Sequence, residues 1–311
     1  MRYWGSLAAV LLIAFLPACR RPPPPPPAAV VLDPAAFSGT RALDEVRRFV
    51  AIGPRVAGTP GAERAAAYLA GRLKEIGVES LTDAFEEATP SGPVRFRNVL
   101  GLIHGSQRRT IILLSHFDTK SGISDTFAGA NDSGSSTGLL LEMARVLKQG
   151  PVPPVDLVLA FLDGEECRVA YGPHDGLHGS RYLARTLVQN RCDRRVRAVI
   201  LADMVGDRDL DVGIPRNSSP ALVSLVFAAA HEEQARSMFS LSSGSVLDDH
   251  VPFLDAGMPA IDLIDFTYGS SGGGNDYWHT DADTLDKISA DSLAVVGRVI
   301  VRVVNRVMAS E

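Results

Sequence analysis

The chain has 311 residues, 46% of them hydrophobic, and a formal net charge of −5. That length and apolar content support one sizeable α/β domain once the N-terminus is set aside. The acidic balance excludes the basic footprint of a nucleic-acid-binding protein and leaves an enzyme or a binding protein.

Met1-Arg2 supplies a positive start, Leu7 to Phe15 a short apolar run, and Leu16-Pro17-Ala18-Cys19 an ending that resembles the bacterial lipobox. Residues 1–19 therefore read as a secretory signal whose apolar stretch is too short to span a bilayer comfortably. Cys19 would become the lipidated first residue, the only expected attachment to a membrane; plain cleavage and an uncleaved anchor are the alternatives. Residues 20–36, with Pro22 to Pro27, form a stiff spacer. The expected location is exported, periplasmic or extracellular, with a folded domain over residues 37–311.

Periodicity then alternates between two types. Arg41 to Ala51 and Gly61 to Ile76 read as helices, and Val94 to Ile103 and Thr110 to Ser115 as strands. Gly134 to Lys148 is helical, Val155 to Leu162 a continuous apolar strand, His178 to Gln189 a helix and Val196 to Asp203 a strand. Pro220 to Glu233 is helical, Ala260 to Ile264 a strand, and Leu285 to Met308 a closing helix. Strands apolar throughout, alternating with helices, predict a three-layer α/β fold: a mixed, largely parallel central sheet with helices on both faces.

In such sheets ligands bind beyond the carboxyl ends of the strands. His116 follows one strand, Asp132 opens the next helix, Glu166 and Asp203 close two further strands, and His279 lies in the loop after the strand Ala260 to Ile264. Five such residues at successive strand ends predict a shared site for a divalent cation, which would offset the repulsion among the carboxylates. Two His and three carboxylates suit zinc in a catalytic site with an open position. Glu165, beside a ligand but pointing differently, is then the general base or acid.

His116-Phe117-Asp118, Gly129-Ala130-Asn131-Asp132-Ser133-Gly134, Asp163-Gly164-Glu165-Glu166, Asp203, Asp249-His250-Val251-Pro252-Phe253 and Trp278-His279-Thr280 follow the order of the M28 zinc aminopeptidase superfamily. Within it the chain is most similar to the glutaminyl-peptide cyclotransferases: Phe161 to Ala184, Val246 to Leu254 and Trp278-His279-Thr280 resemble their pattern. The resemblance implies a zinc-exopeptidase-like fold and one zinc held by Asp132, Glu166 and His279. It implies Glu165 as the proton shuttle, oriented through hydrogen bonds by Asp203 and Asp248. The implied reaction converts the N-terminal Gln of peptides or proteins to pyroglutamate with release of ammonia.

The departures fall in the pocket. Tyr171 stands where the animal enzymes usually have a Trp, Leu247 replaces a polar residue, and Asp265 to Tyr277 is longer and Gly-rich, resembling secreted bacterial M28 peptidases. An aminopeptidase with two zincs, His116 and Asp203 completing the second site, is therefore the alternative reading, and a non-catalytic binding ectodomain a third. Trp278 and Tyr171 are expected as walls of the substrate pocket. Asp118 is expected to hold the tautomer of His116, His250 to be hydrogen-bonded at a helix start, His174 and His178 to be surface or loop residues, and Glu142 a solvated or capping charge. Cys167 and Cys192 allow one disulfide without demanding it; the sequence around Cys167 favours a small buried thiol over a nucleophile.

Overall fold

The computed structural model describes residues 30–310; the expected signal segment, Cys19 and most of the proline-rich spacer lie outside the described residues. Order begins before Phe37, because Leu32 is already buried and its backbone N–H donates to Asn305 Oδ1 at 2.8 Å.

Two helices, α1 (Gly39–Val50) and α2 (Pro60–Ile76), come first. Ser38 and Thr59 cap their N-termini through side-chain oxygens, Pro60 occupies the first turn, and Gly77 ends α2 in the left-handed conformation. A hairpin of β1 (Glu79–Thr89) and β2 (Gly92–Ile103) follows, then β3 (Gln107–His116), α3 (Gly134–Gln149), β4 (Val155–Leu162), α4 (His178–Gln189) and β5 (Val196–Asp203). The chain closes with β6 (Val212–Ile214), α5 (Pro220–Glu232), β7 (Phe239–Leu241), α6 (Val251–Asp255), β8 (Ala260–Ile264) and α7 (Ala290–Ala309).

The strands form one sheet in the order β1-β2-β4-β3-β5-β8-β6-β7. Its centre, β4, β3, β5 and β8, is parallel, while the β1–β2, β2–β4 and β6–β8 pairs are antiparallel. Alternation along β3 sends Ile111 and Leu113 into the core under α1, α3 and α7, and Ile112 and Leu114 into the smaller core under α4 and α6. Each such side chain removed from water contributes about 1.5–3 kcal/mol, which is why the central strands are apolar on both faces. The expected three-layer architecture is therefore present.

Three differences from the sequence reading have physical causes. β1 reads as polar because it is an edge strand with an exposed outer face, held by an eleven-residue register against β2. β6 and β7 have only three residues each, too few to show a period. α7 starts at Ala290, not Leu285, because Ile288 bridges to Asp207 and Ser289 caps the helix. Among the described residues Cys167 and Cys192 are free thiols. No described helix is long and apolar enough to cross a membrane.

Candidate metal centre and its cavity

The parallel strands β3, β4, β5 and β8 all end on one edge of the sheet, so the loops beyond them converge. Asp132 comes from the loop between β3 and α3. That loop turns at Gly129, whose φ is +52° and where a Cβ would lie 1.8 Å from the Asp132 carbonyl oxygen. Asp283 holds the other side of the turn, accepting the N–H groups of Asn131 at 2.7 Å and Asp132 at 3.1 Å and the Tyr268 hydroxyl at 2.7 Å. Buried Arg55 donates to the carbonyls of Phe117, at 2.9 Å, and Ala128, at 2.8 Å.

Glu165 and Glu166 follow β4 through Gly164, which has φ +77° and no room for a Cβ beside the Phe96 ring at 2.5 Å. Both backbone N–H groups are gripped by Asp118, one on each carboxylate oxygen, at 3.1 Å and 3.2 Å. This corrects the expected role of Asp118: its nearest approach to His116 Nδ1 is 3.5 Å, and that nitrogen has no hydrogen-bond partner. Asp118→Asn would turn an N–H donor against one of these backbone donors. The expected cost is about ten- to hundredfold in activity with the fold intact, as for other groups that orient ligands; activity close to the parent's would refute this role.

Two groups of ligand atoms come together, each within 4.8 Å: His116, Asp132 and Asp203, and Asp132, Glu166 and His279. Asp132 is shared. Its Oδ1 lies 3.1 Å from His116 Nε2 and its Oδ2 3.3 Å from His279 Nε2. Glu166 Oε1 lies 3.0 Å from His279 Nε2, and Asp203 Oδ1 3.2 Å from His116 Nε2. His279 and Met204, the residue after Asp203, hold positive φ of 54° and 50°, local strain that sits at the site.

The electrostatics suit a cation. Burial raises the Glu166 carboxyl above its ordinary range, and the Asp132 charge adds to this against the pull of His279. For Asp132 the penalty of burial is outweighed by the two imidazoles, which hold it below the usual range. Burial opposes a charged His279, yet Asp132 and Glu166 push it up to about 9. Glu166 Oε2 is buried without a hydrogen bond and has only Lys120 Nζ, 3.4 Å away. Two carboxylates and one imidazole facing one point, with a spare buried oxygen, are a donor set that fits zinc.

Glu165 belongs to neither group. Its Oε1 accepts the Tyr171 hydroxyl at 2.8 Å. Burial first, and the Glu166 charge second, hold its carboxyl well above the ordinary range. The structure thus gives Glu165 a different partner from the expected pair: Asp203 is engaged with His116, and Asp248 lines the same cavity and accepts the N–H of Asp249. Asp132, Glu165, Glu166, Asp203 and His279 open into a cavity of about 110 Å³ walled by Tyr171, Leu247, Phe266 and Trp278. Trp278 stacks on the His279 ring at 4.0 Å and meets Phe266 edge-on. His116 is 1% exposed and lies behind this cavity rather than in its wall.

The remaining sequence expectations divide. His250 caps α6 and is fully buried, but neither ring nitrogen has a hydrogen-bond partner, so its expected bond is not formed; burial lowers its pKa to about 4. His174 is exposed, whereas His178 is buried, stacked on Phe96 with Nδ1 2.8 Å from Glu87 Oε2. Glu142 is buried and accepts the N–H of Ser38 at 3.0 Å, so it caps α1 instead of facing solvent. Cys167 is a buried thiol 3.2 Å from Lys120 Nζ. Sequence reasoning missed Arg55, Phe266 and Asp283. Only Asp283 carried a signal, an acidic residue four positions after His279.

The family described as Peptidase family M28 matches residues 98–304. A glutaminyl-peptide cyclotransferase-like protein of Bos taurus is 30% identical over 274 residues, covering 79% of this chain and 70% of its own. Among solved structures, an Acidobacteriales bacterium glutaminyl cyclase is 36% identical with a TM-score of 0.83, over 88% of this chain and 96% of that one. A Zn-dependent exopeptidase from Parabacteroides distasonis is 26% identical with a TM-score of 0.76, over 86% and 98%.

Proposed function

This chain belongs to peptidase family M28, and on that footing we propose that it is a zinc-dependent glutaminyl-peptide cyclotransferase, acting on peptides or proteins that begin with Gln. The observation that carries the reading is Glu165: a buried carboxylate outside both ligand groups, held by Tyr171, in the same small aromatic-walled cavity as Asp132, Glu166 and His279. The relatives named as cyclotransferase and cyclase support the choice of reaction.

Asp132, Glu166 and His279 would hold one zinc, because they face the cavity, whereas His116 is sealed behind it. Zinc bound there supplies a Lewis acid for the side-chain carbonyl of the substrate Gln. Glu165 accepts a proton from the α-amine as that nitrogen bonds to the side-chain carbonyl carbon, and returns it to the amide nitrogen that leaves as ammonia. Tyr171 holds the Glu165 carboxylate in place through its hydrogen bond to Oε1. Trp278, Phe266 and Leu247 exclude water and fold the Gln side chain back toward its own amine, and for an intramolecular reaction such positioning is the larger part of catalysis.

The sharing of Asp132 between two ligand groups, with the likeness to an exopeptidase, favours a second reading: an aminopeptidase holding a further zinc at His116 and Asp203, with Glu165 taking a proton from water. Incubating the zinc-loaded protein with a Gln-initiated peptide and with leucyl and alanyl substrates separates the two. Ammonia without chain shortening is expected. Release of free amino acids at two zincs per chain would establish the second reading, and no reaction with either substrate would overturn both.

A further inference from the structure

A groove of about 420 Å³ runs between α4 and α6, floored by Leu177, Ala184 and Val188 on one side and Val251, Pro252 and Ala256 on the other. Leu247 lines both this groove and the cavity over Glu165, so the two adjoin at that residue. Val188 and Leu247 are 44% and 48% exposed, so two large apolar side chains of the groove stand open to solvent. Two of the three rim charges are engaged within the protein, Arg181 donating to the Gly172 carbonyl at 2.6 Å and Arg185 to Glu87 Oε1 at 2.8 Å, and the third, Asp255, stands at the end of α6, so the surface between the helices is apolar. What the groove offers a ligand is therefore its apolar floor.

We propose that this groove receives the substrate residues that follow the N-terminal Gln, and that it selects apolar ones. The inference rests on the cyclotransferase reading. A substrate that enters amine-first leaves its remaining chain at the cavity mouth, where Tyr171, Phe266 and Trp278 are also partly exposed apolar surface. An extended chain advances about 3.3 Å per residue. Its second residue crosses Leu247, and the third and fourth lie between α4 and α6. Each apolar side chain buried there strengthens binding about tenfold or more.

The test compares kcat/KM for Gln-amide, a polar Gln-initiated pentapeptide and one with Leu or Phe at positions three and four, in the zinc-loaded parent and in Val188→Glu. The apolar pentapeptide is expected to exceed the polar one by about a hundredfold in the parent, about tenfold for each of its two apolar side chains, with most of that advantage lost in the variant. Unchanged Gln-amide turnover shows that the variant folds. An apolar advantage that survives Val188→Glu, or equal rates for both pentapeptides in the parent, would overturn the proposal. So would a Val188-dependent change in sedimentation with no effect on peptides, which would mean that a second copy covers the groove. Anisotropy of a labelled apolar peptide reads the groove separately. Val188-dependent binding without turnover of any Gln substrate would keep the groove and defeat the cyclotransferase reading.

Discussion

Glu165→Gln is expected to lower kcat for a Gln-initiated peptide by about 10²- to 10⁴-fold, the usual contribution of a positioned proton carrier, while zinc content stays at the parent value. The separation of the two effects follows from geometry. Glu165 contributes no atom to either ligand group, and its own contact is the hydroxyl of Tyr171 at 2.8 Å. Gln keeps the shape of the side chain and can still accept that hydrogen bond, but cannot take a proton from the amine. Ammonia release gives the rate and elemental analysis the metal. A variant with near-parental turnover would remove Glu165 from the mechanism, and one that lost its zinc would make it a ligand.

Glu166→Gln should behave in the opposite way. It removes one of two carboxylates that face the same point, together with the charge that makes a dication favourable between them. Zinc affinity is expected to fall by more than the ten- to hundredfold that removal of an orienting partner costs, and activity should fall with it. Melting supplies an independent readout. Zinc at a thousand times its dissociation constant stabilises a folded protein by about 4 kcal/mol, so the parent should melt at a higher temperature with the metal than without, and the variant should lose most of that increment. Equal zinc-dependent increments would show that Glu166 is not a ligand.

The parts of the site that were legible in the sequence are those fixed by the chain's immediate surroundings. His116, Glu166 and Asp203 sit at the ends of strands whose apolar runs are buried on both faces, and Asp132 lies just before a helix start, so their convergence follows from the strand-end rule. Partnerships set by loop geometry were not legible. Tyr171 reaches Glu165 only because Asp175 accepts the N–H groups of Arg168, Val169 and Ala170 and folds that loop back on itself. The grip of Asp118 on the Glu165 and Glu166 amides, and the burial of His178 against Phe96 and Glu87, join segments far apart in the chain and leave no local pattern. β1 was hidden for a related reason, since its partner β2, not its own composition, makes it a strand.

The central claim is that the substrate's own amine, not water, attacks the carbon activated in this cavity. Mass spectrometry of products formed in ¹⁸O-enriched water tests it directly. The zinc-loaded protein acting on a Gln-initiated peptide is expected to yield a full-length product that has lost ammonia and carries no solvent oxygen. A shortened peptide together with a free amino acid whose carboxylate carries ¹⁸O, or a full-length product with Glu in place of Gln and one ¹⁸O, would mean that water is the nucleophile and would contradict it.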